Sequence, residues 1–157
     1  MIEINAKVPD FTLKGIDSEG NEKDFSISDF LGQNVVLYFY PRDNTLGCTQ
    51  EACEIRDNMN RLTSKAVVMG VSADSIASHK KFQEKQNLNF ILLSDTDHKL
   101  LEAFGTWAEK KMYGKLYMGI VRSTFIIDKQ GLVKKIWENV KVKGHVDEIL
   151  QALDEID

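Results

Sequence analysis

Val35-Val36-Leu37-Tyr38-Phe39-Tyr40 is an unbroken run of apolar, β-favouring side chains that stops at Pro41. A strand without polar alternation has two apolar faces, so it must be covered on both sides, as in the centre of an α/β sheet. Ala66-Val67-Val68-Met69-Gly70-Val71-Ser72 reads as a second such strand and Phe90-Ile91-Leu92-Leu93 as a shorter third. Between the first two, Thr49 to Leu62 reads as a helix, with Cys53, Arg56, Met59 and Asn60 at helical spacing. Asp74 or Ser75 caps a further helix carrying Ile76, His79 and Phe82 on one side, and another is expected near His98–Phe104.

The ends of the chain read as hairpins and a helix. Phe11-Thr12-Leu13 and Phe25-Ser26-Ile27 alternate around Gly15–Gly20 and predict an N-terminal β-hairpin. Thr124–Ile127 and Leu132–Trp137 flank Asp128-Lys129-Gln130-Gly131, a strong hairpin signal. A last helix is expected from about Gly144-His145, with Val146, Ile149, Leu150 and Leu153 on one face. The alternation predicts an α/β layer structure: a mixed central sheet flanked by helices, extended by the N-terminal hairpin. With no repeat, linker or low-complexity tract, residues 1–157 are expected to form a single domain.

Composition narrows the function. Twenty basic against 24 acidic residues leave a net charge of −4, a poor footprint for nucleic acid, and the lysine pairs are scattered. No apolar run approaches the ~20 residues of a membrane helix. Met1–Asn5 lacks the basic patch and apolar core of a signal peptide, so the chain reads as cytoplasmic. Thiols stay reduced there, and a chain of 157 residues needs no staple to hold its core, so the two cysteines, Cys48 and Cys53, read as reactive rather than structural.

Cys48 falls just after the first strand, where a helix begins. Unpaired amides and the helix dipole at such a point favour thiolate over thiol, and thiolate is the nucleophile in cysteine chemistry. Thr45 can turn its hydroxyl toward the sulfur if the loop curls into the helix's first turn, and Pro41 ends the strand and shapes that loop. If both cysteines lie in one helix, ~7.5 Å of rise and ~140° of rotation separate them. Their Cα atoms are then about 8–9 Å apart, beyond the ~7 Å that a disulfide spans. Bonding therefore requires the helix to unwind, which suits a redox cycle and not a permanent staple.

The pattern Pro41-x-x-x-Thr45-x-x-Cys48 resembles the peroxiredoxin active-site motif, and the offset to Cys53 resembles the Q-type, or bacterioferritin-comigratory-protein, subfamily. Val71–Ser75, Ser78–Phe82, Leu92–Asp95 and Gly119–Asp128 resemble the same subfamily in the same order, so the likeness covers nearly the whole chain. The resemblance implies a thioredoxin-like fold and an antioxidant thiol peroxidase that reduces hydrogen peroxide and organic hydroperoxides. It implies that Cys48 is the peroxidatic and Cys53 the resolving cysteine. Thr45 matches the residue that hydrogen-bonds thiolate and peroxide, and Pro41 the proline that shields the sulfur. Arg122 takes the active-site arginine's place and Glu51 that of its supporting acid. Leu46 stands where the family usually has proline, which keeps the chemical groups but puts the loop's rigidity in question.

Sulfur carries the redox change in such a cycle, so no metal or organic cofactor is expected. A sulfenic acid on Cys48 condenses with Cys53, the other thiol in the chain, and thioredoxin or a glutaredoxin-like dithiol exchanges the disulfide back. Resolution within one chain is compatible with a monomer or a weak homodimer. The main alternative is a protein dithiol–disulfide oxidoreductase using the same pair, although such enzymes favour Cys-x-x-Cys. A metal site at the cysteines lacks further ligands at suitable spacing. A cysteine hydrolase would need His79, His98 or His145 as base, and these read as surface or capping residues. Trp107–Gly119 is the least legible stretch; its Lys110–Gly114 tract reads as a loop near the active site or a dimer contact.

Overall fold

The computed structural model describes residues 2–156; Met1 and Asp157, included in the single-domain expectation, lie outside the described residues. Nine strands and five α-helices follow one another in this order. The first part comprises β1 (Thr12–Ile16), β2 (Glu22–Ser26), a 3-10 turn (Ile27–Phe30), β3 (Val35–Phe39), α1 (Leu46–Asp57), α2 (Met59–Leu62), β4 (Val67–Ser72) and α3 (Ile76–Gln86). The second comprises β5 (Ile91–Ser94), α4 (Lys99–Ala103), β6 (Trp107–Met112), β7 (Lys115–Ile120), β8 (Ser123–Ile127), β9 (Val133–Trp137) and α5 (His145–Ile156).

Seven strands form one mixed sheet in the order β2-β1-β5-β4-β3-β8-β9. Strand β3 pairs in parallel with β4 and antiparallel with β8, which makes it central, and every one of its residues is buried. Its side chains alternate between two cores. Val36, Tyr38 and Tyr40 pack with Cys48, Ala52, Ile55, Phe82, Ile149 and Leu153, under α1, α3 and α5. Val35, Leu37 and Phe39 pack with Leu100, Leu101, Phe104 and Phe125 on the opposite face. The N-terminal hairpin, whose strands extend past Gly15, joins the sheet through antiparallel pairing of β1 with β5.

Two sequence expectations need correction. The helix expected over Thr49–Leu62 begins earlier, at Leu46, and breaks at Asn58, whose φ of −111° and ψ of 7° depart from helical values. Its buried face is Cys48, Glu51, Ala52 and Ile55, an i, i+3, i+4, i+7 stripe that includes a carboxylate. The expected loop at Lys110–Gly114 is instead the turn of a separate hairpin, β6–β7, in which Tyr113 and Gly114 both adopt positive φ (52° and 79°). Two successive left-handed residues are what a tight type I′ turn requires. Of the two residues expected to cap α3, Ser75 does so, its hydroxyl accepting from the Ser78 amide at 3.2 Å.

Candidate active site

The β3–α1 loop places the first half of the site at the C-terminal edge of the parallel strands, where α/β sheets commonly bind ligands. Strand β3 ends at Phe39, and Tyr40 through Asn44 cross to Thr45, the N-cap of α1. Leu46 is the first helical residue, where proline's missing amide would cost nothing and where leucine also starts the helix. The first hydrogen bond along α1 runs from the Thr49 amide to the Thr45 carbonyl at 2.8 Å, so the amides of Leu46, Gly47 and Cys48 precede the helical ladder. Cys48, in this first turn, is almost wholly buried.

The second half arrives from β8. Ser123 pairs with Phe39 in the antiparallel register, so Arg122, one residue before it, emerges where β3 ends. Its Nη2 donates to the Cys48 sulfur at 3.3 Å and its Nη1 to Glu51 Oε1 at 2.7 Å. Gly47 leaves room for this approach: a Cβ there would lie 3.1 Å from Arg122 Nη2. Burial opposes the guanidinium charge, but Glu51 and the Cys48 sulfur outweigh it and hold the Arg122 pKa above its ordinary value. Burial pushes the Glu51 carboxyl up to about 7, against the pull of Arg122. Glu51 Oε2 and the hydroxyl of Tyr38 in the same core have no hydrogen-bond partner among the described residues. Burial foremost, together with Glu51 and Cys48, raises the Tyr38 pKa and keeps the phenol neutral.

The remaining sequence candidates fall around this centre with differing fits. Pro41 and Thr45 line a cavity of about 500 Å³ together with Trp107, Lys110, Tyr117 and Ile120 of the β6–β7 hairpin. The hairpin therefore does lie beside the site. Lys110 Nζ donates to the Ile120 carbonyl at 2.8 Å, and burial, then Arg122, lowers its pKa. The Thr45 hydroxyl does not turn toward the sulfur; it donates to the Arg42 carbonyl at 2.8 Å. Its lone pairs are left as acceptors. Cys53 lies two-thirds of the way along α1, half-buried, and its thiol donates to Gln86 Oε1 at 3.5 Å. Both cysteines are free thiols within one continuous helix.

Two of the three histidines are not where the sequence put them. His79 is fully buried, with Nδ1 2.7 Å from Asp43 Oδ2 and Nε2 2.8 Å from the Leu93 carbonyl. His145 is buried too, 2.8 Å from the Thr124 hydroxyl, and burial lowers its pKa. His98 alone matches a capping role, as N-cap of α4, with its ring stacked 4.0 Å from Trp107. None of the three approaches Cys48 among the hydrogen bonds of the described residues, so the cysteine has no imidazole base. Asp43 is the residue that sequence reasoning missed, and its only signal was its place in the Pro41–Cys48 loop.

Comparison with known proteins agrees with this geometry. The AhpC/TSA family model matches residues 4–136. The chain is 53% identical to Peroxiredoxin Bcp of Bacillus subtilis over 156 residues, covering 99% of this chain and 97% of the relative. Among solved structures it resembles the bacterioferritin comigratory protein of Xanthomonas campestris, with a TM-score of 0.84 and 39% identity over 92% of this chain and 91% of that one. It likewise resembles a Cys-to-Ser mutant of PrxQ from Xylella fastidiosa, with a TM-score of 0.89 and 37% identity over 99% and 98%. A buried thiol at a helix N-terminus, held by an arginine on a thioredoxin-like sheet, thus has its relatives, and the chain belongs to the AhpC/TSA family and, within it, to the Bcp/PrxQ peroxiredoxins, which are thiol-dependent peroxidases.

Proposed function

We propose that Cys48 is the peroxidatic and Cys53 the resolving cysteine of a cytoplasmic peroxidase, a monomer or weak homodimer, that reduces hydrogen peroxide and organic hydroperoxides. The observation that carries this reading is the Arg122–Cys48 contact at 3.3 Å, because it aims a fixed cation at the thiol in the first turn of a helix. In this reading residues 1–157 act as one unit. The Cys48 thiolate attacks the nearer peroxide oxygen, the O–O bond breaks, and the departing alkoxide or hydroxide takes a proton. Arg122 and the amides at the start of α1 face the charge that builds on the departing oxygen; one such donor is typically worth ~3–4 kcal/mol. Thr45 accepts the hydrogen of the peroxide, Pro41 shields the sulfur, and Glu51 holds Arg122 in place.

The second step joins the cysteines. Cys53 attacks the sulfenic sulfur, water leaves, and a disulfide forms, which an external dithiol such as thioredoxin or a glutaredoxin-like protein reduces by exchange. An alkyl hydroperoxide suits the site, because Trp107, Tyr117, Met118 and Ile120 line the cavity beside Thr45. Alkyl peroxide reduction is likewise the activity described for the Xanthomonas protein. Stopped-flow mixing with peroxide tests the assignment. Cys48→Ser should abolish turnover, and Cys53→Ser should react once and accumulate sulfenic acid. Substantial turnover by the first variant, or loss of the first reaction in the second, would refute it. Reduction of insulin disulfides without peroxide turnover would favour the dithiol oxidoreductase instead.

A further inference from the structure

Asp43 is the most heavily tied residue of the active-site loop, and none of the peroxidase roles above uses it. Its amide donates to Asp74 Oδ2 at 2.8 Å, just past β4. Its Oδ1 accepts from the Tyr40 hydroxyl at 2.6 Å, and its Oδ2 from the Ser78 hydroxyl at 2.8 Å. The same Oδ2 lies 2.7 Å from His79 Nδ1. Asp74 is braced in turn by the Ser72 hydroxyl at 2.8 Å. The Asp43 and His79 side chains are 1% and 0% exposed.

Donor accounting shows what holds this cluster together. The Leu93 carbonyl can only accept, so His79 Nε2 must carry a proton to meet it at 2.8 Å. A carboxylate oxygen 2.7 Å from Nδ1 likewise requires a proton between the two. A proton thus lies between His79 Nδ1 and Asp43 Oδ2, and His79 ties β5 on one side to the loop on the other. The Tyr40 hydroxyl, 3.5 Å from Nδ1, completes the ring of groups around the pair. Removing one partner would leave the other buried and unmatched.

We propose that His79 is a positioning residue for the peroxide step, acting through Asp43 on the loop that carries Thr45 and Cys48. Two bonds of chain separate Asp43 from Thr45, and the intervening Asn44 is held at φ 60°, a left-handed conformation with little slack. A shift at Asp43 therefore passes directly to the N-cap and to the first turn of α1, where Cys48 meets Arg122. The second step makes the opposite demand, since disulfide formation needs that turn to come apart. Loosening the clamp should slow reaction with peroxide and leave resolution unslowed. The inference rests on the assignment of Cys48 as the attacking thiol.

Two replacements of His79 separate positioning from mere core filling. In His79→Asn the amide nitrogen takes the place of Nδ1 and keeps the donor to Asp43. In His79→Gln it takes the place of Nε2 and keeps only the bond to Leu93. Stopped-flow mixing with hydrogen peroxide gives the second-order rate of Cys48 oxidation and, separately, the first-order rate of disulfide formation. His79→Gln should lose about ten- to a hundredfold in the first rate, the scale of a misplaced reacting group, with the second unchanged or faster. His79→Asn should recover most of that loss. An unchanged first rate in His79→Gln, or equal losses in both steps, would overturn the proposal. Where His79→Gln does not fold, Ser78→Ala removes another donor to the same oxygen. A fall in its first rate alone supports the clamp, and an unchanged first rate overturns it. A Cys48→Ser control distinguishes failure of this inference from failure of the cysteine assignment, because only the latter leaves its turnover intact.

Discussion

The most unusual residue is Glu51, a carboxylate on the buried stripe of a helix. Its position follows from Arg122, which needs a fixed counter-charge to remain aimed at the Cys48 sulfur. Desolvation nevertheless raises its carboxyl from 4.5 to about 7, so the folded protein binds a proton there that the unfolded chain has already released. Stability from this group is complete below pH 4.5 and declines as pH rises to 7. The full decline is on the order of 3 kcal/mol. Urea unfolding of the wild type and Glu51→Gln across that window checks it. The wild type's stability relative to the variant should fall with rising pH, whereas parallel curves would contradict a raised Glu51 pKa.

At the scale of elements, α1 has to satisfy two conflicting requirements. As a continuous helix it presents Cys48 to Arg122, and in that state Cys48 and Cys53 cannot bond. Its far end is tied to α3, since Arg56 Nη1 donates to the Gln86 carbonyl at 2.6 Å and the Arg56 carbonyl accepts from Asn89 at 3.3 Å. Unwinding on oxidation should therefore be confined between Thr45 and Ile55. Hydrogen exchange should show amides in that span losing protection in the oxidised protein, with β3 unchanged; equal protection in both forms would contradict the helical constraint. The legibility of the elements follows the same physics. Strands β3 and β4 and the face of α5 could be read because burial on them is apolar apart from Ser72 and His145. The buried stripe of α1 could not, because Glu51 looks like a solvent residue until Arg122, 71 positions away, is placed against it. His79 was misjudged for the same reason, its partner Asp43 lying 36 residues upstream. The β6–β7 hairpin escaped because its strands are largely exposed and carry no clean alternation, although Tyr113-Gly114 held the turn. The two cysteines, Thr45, Pro41, Arg122 and Glu51 were found through spacing and resemblance, not through burial.

For the molecule as a whole, what matters is that every group of the site comes from one chain. Cys48, Cys53 and Glu51 ride on α1, Thr45 caps it, and Arg122 reaches it because β8 lies antiparallel to β3. The sheet brings residues 74 positions apart to 3.3 Å without help from a second copy. The thiols proposed to attack and to resolve sit in the same helix, so a disulfide between them would link positions five residues apart and need no partner subunit. Oxidation should therefore leave the mass in solution unchanged. Light scattering of the reduced and peroxide-treated protein tests the mass, and non-reducing gel electrophoresis tests the linkage. A covalent dimer forming at stoichiometric peroxide would contradict resolution within the chain. Cys53→Ser sharpens the comparison: it leaves Cys48 as the one thiol able to cross-link, so covalent dimers confined to that variant would show that Cys53 normally keeps the reaction within the chain.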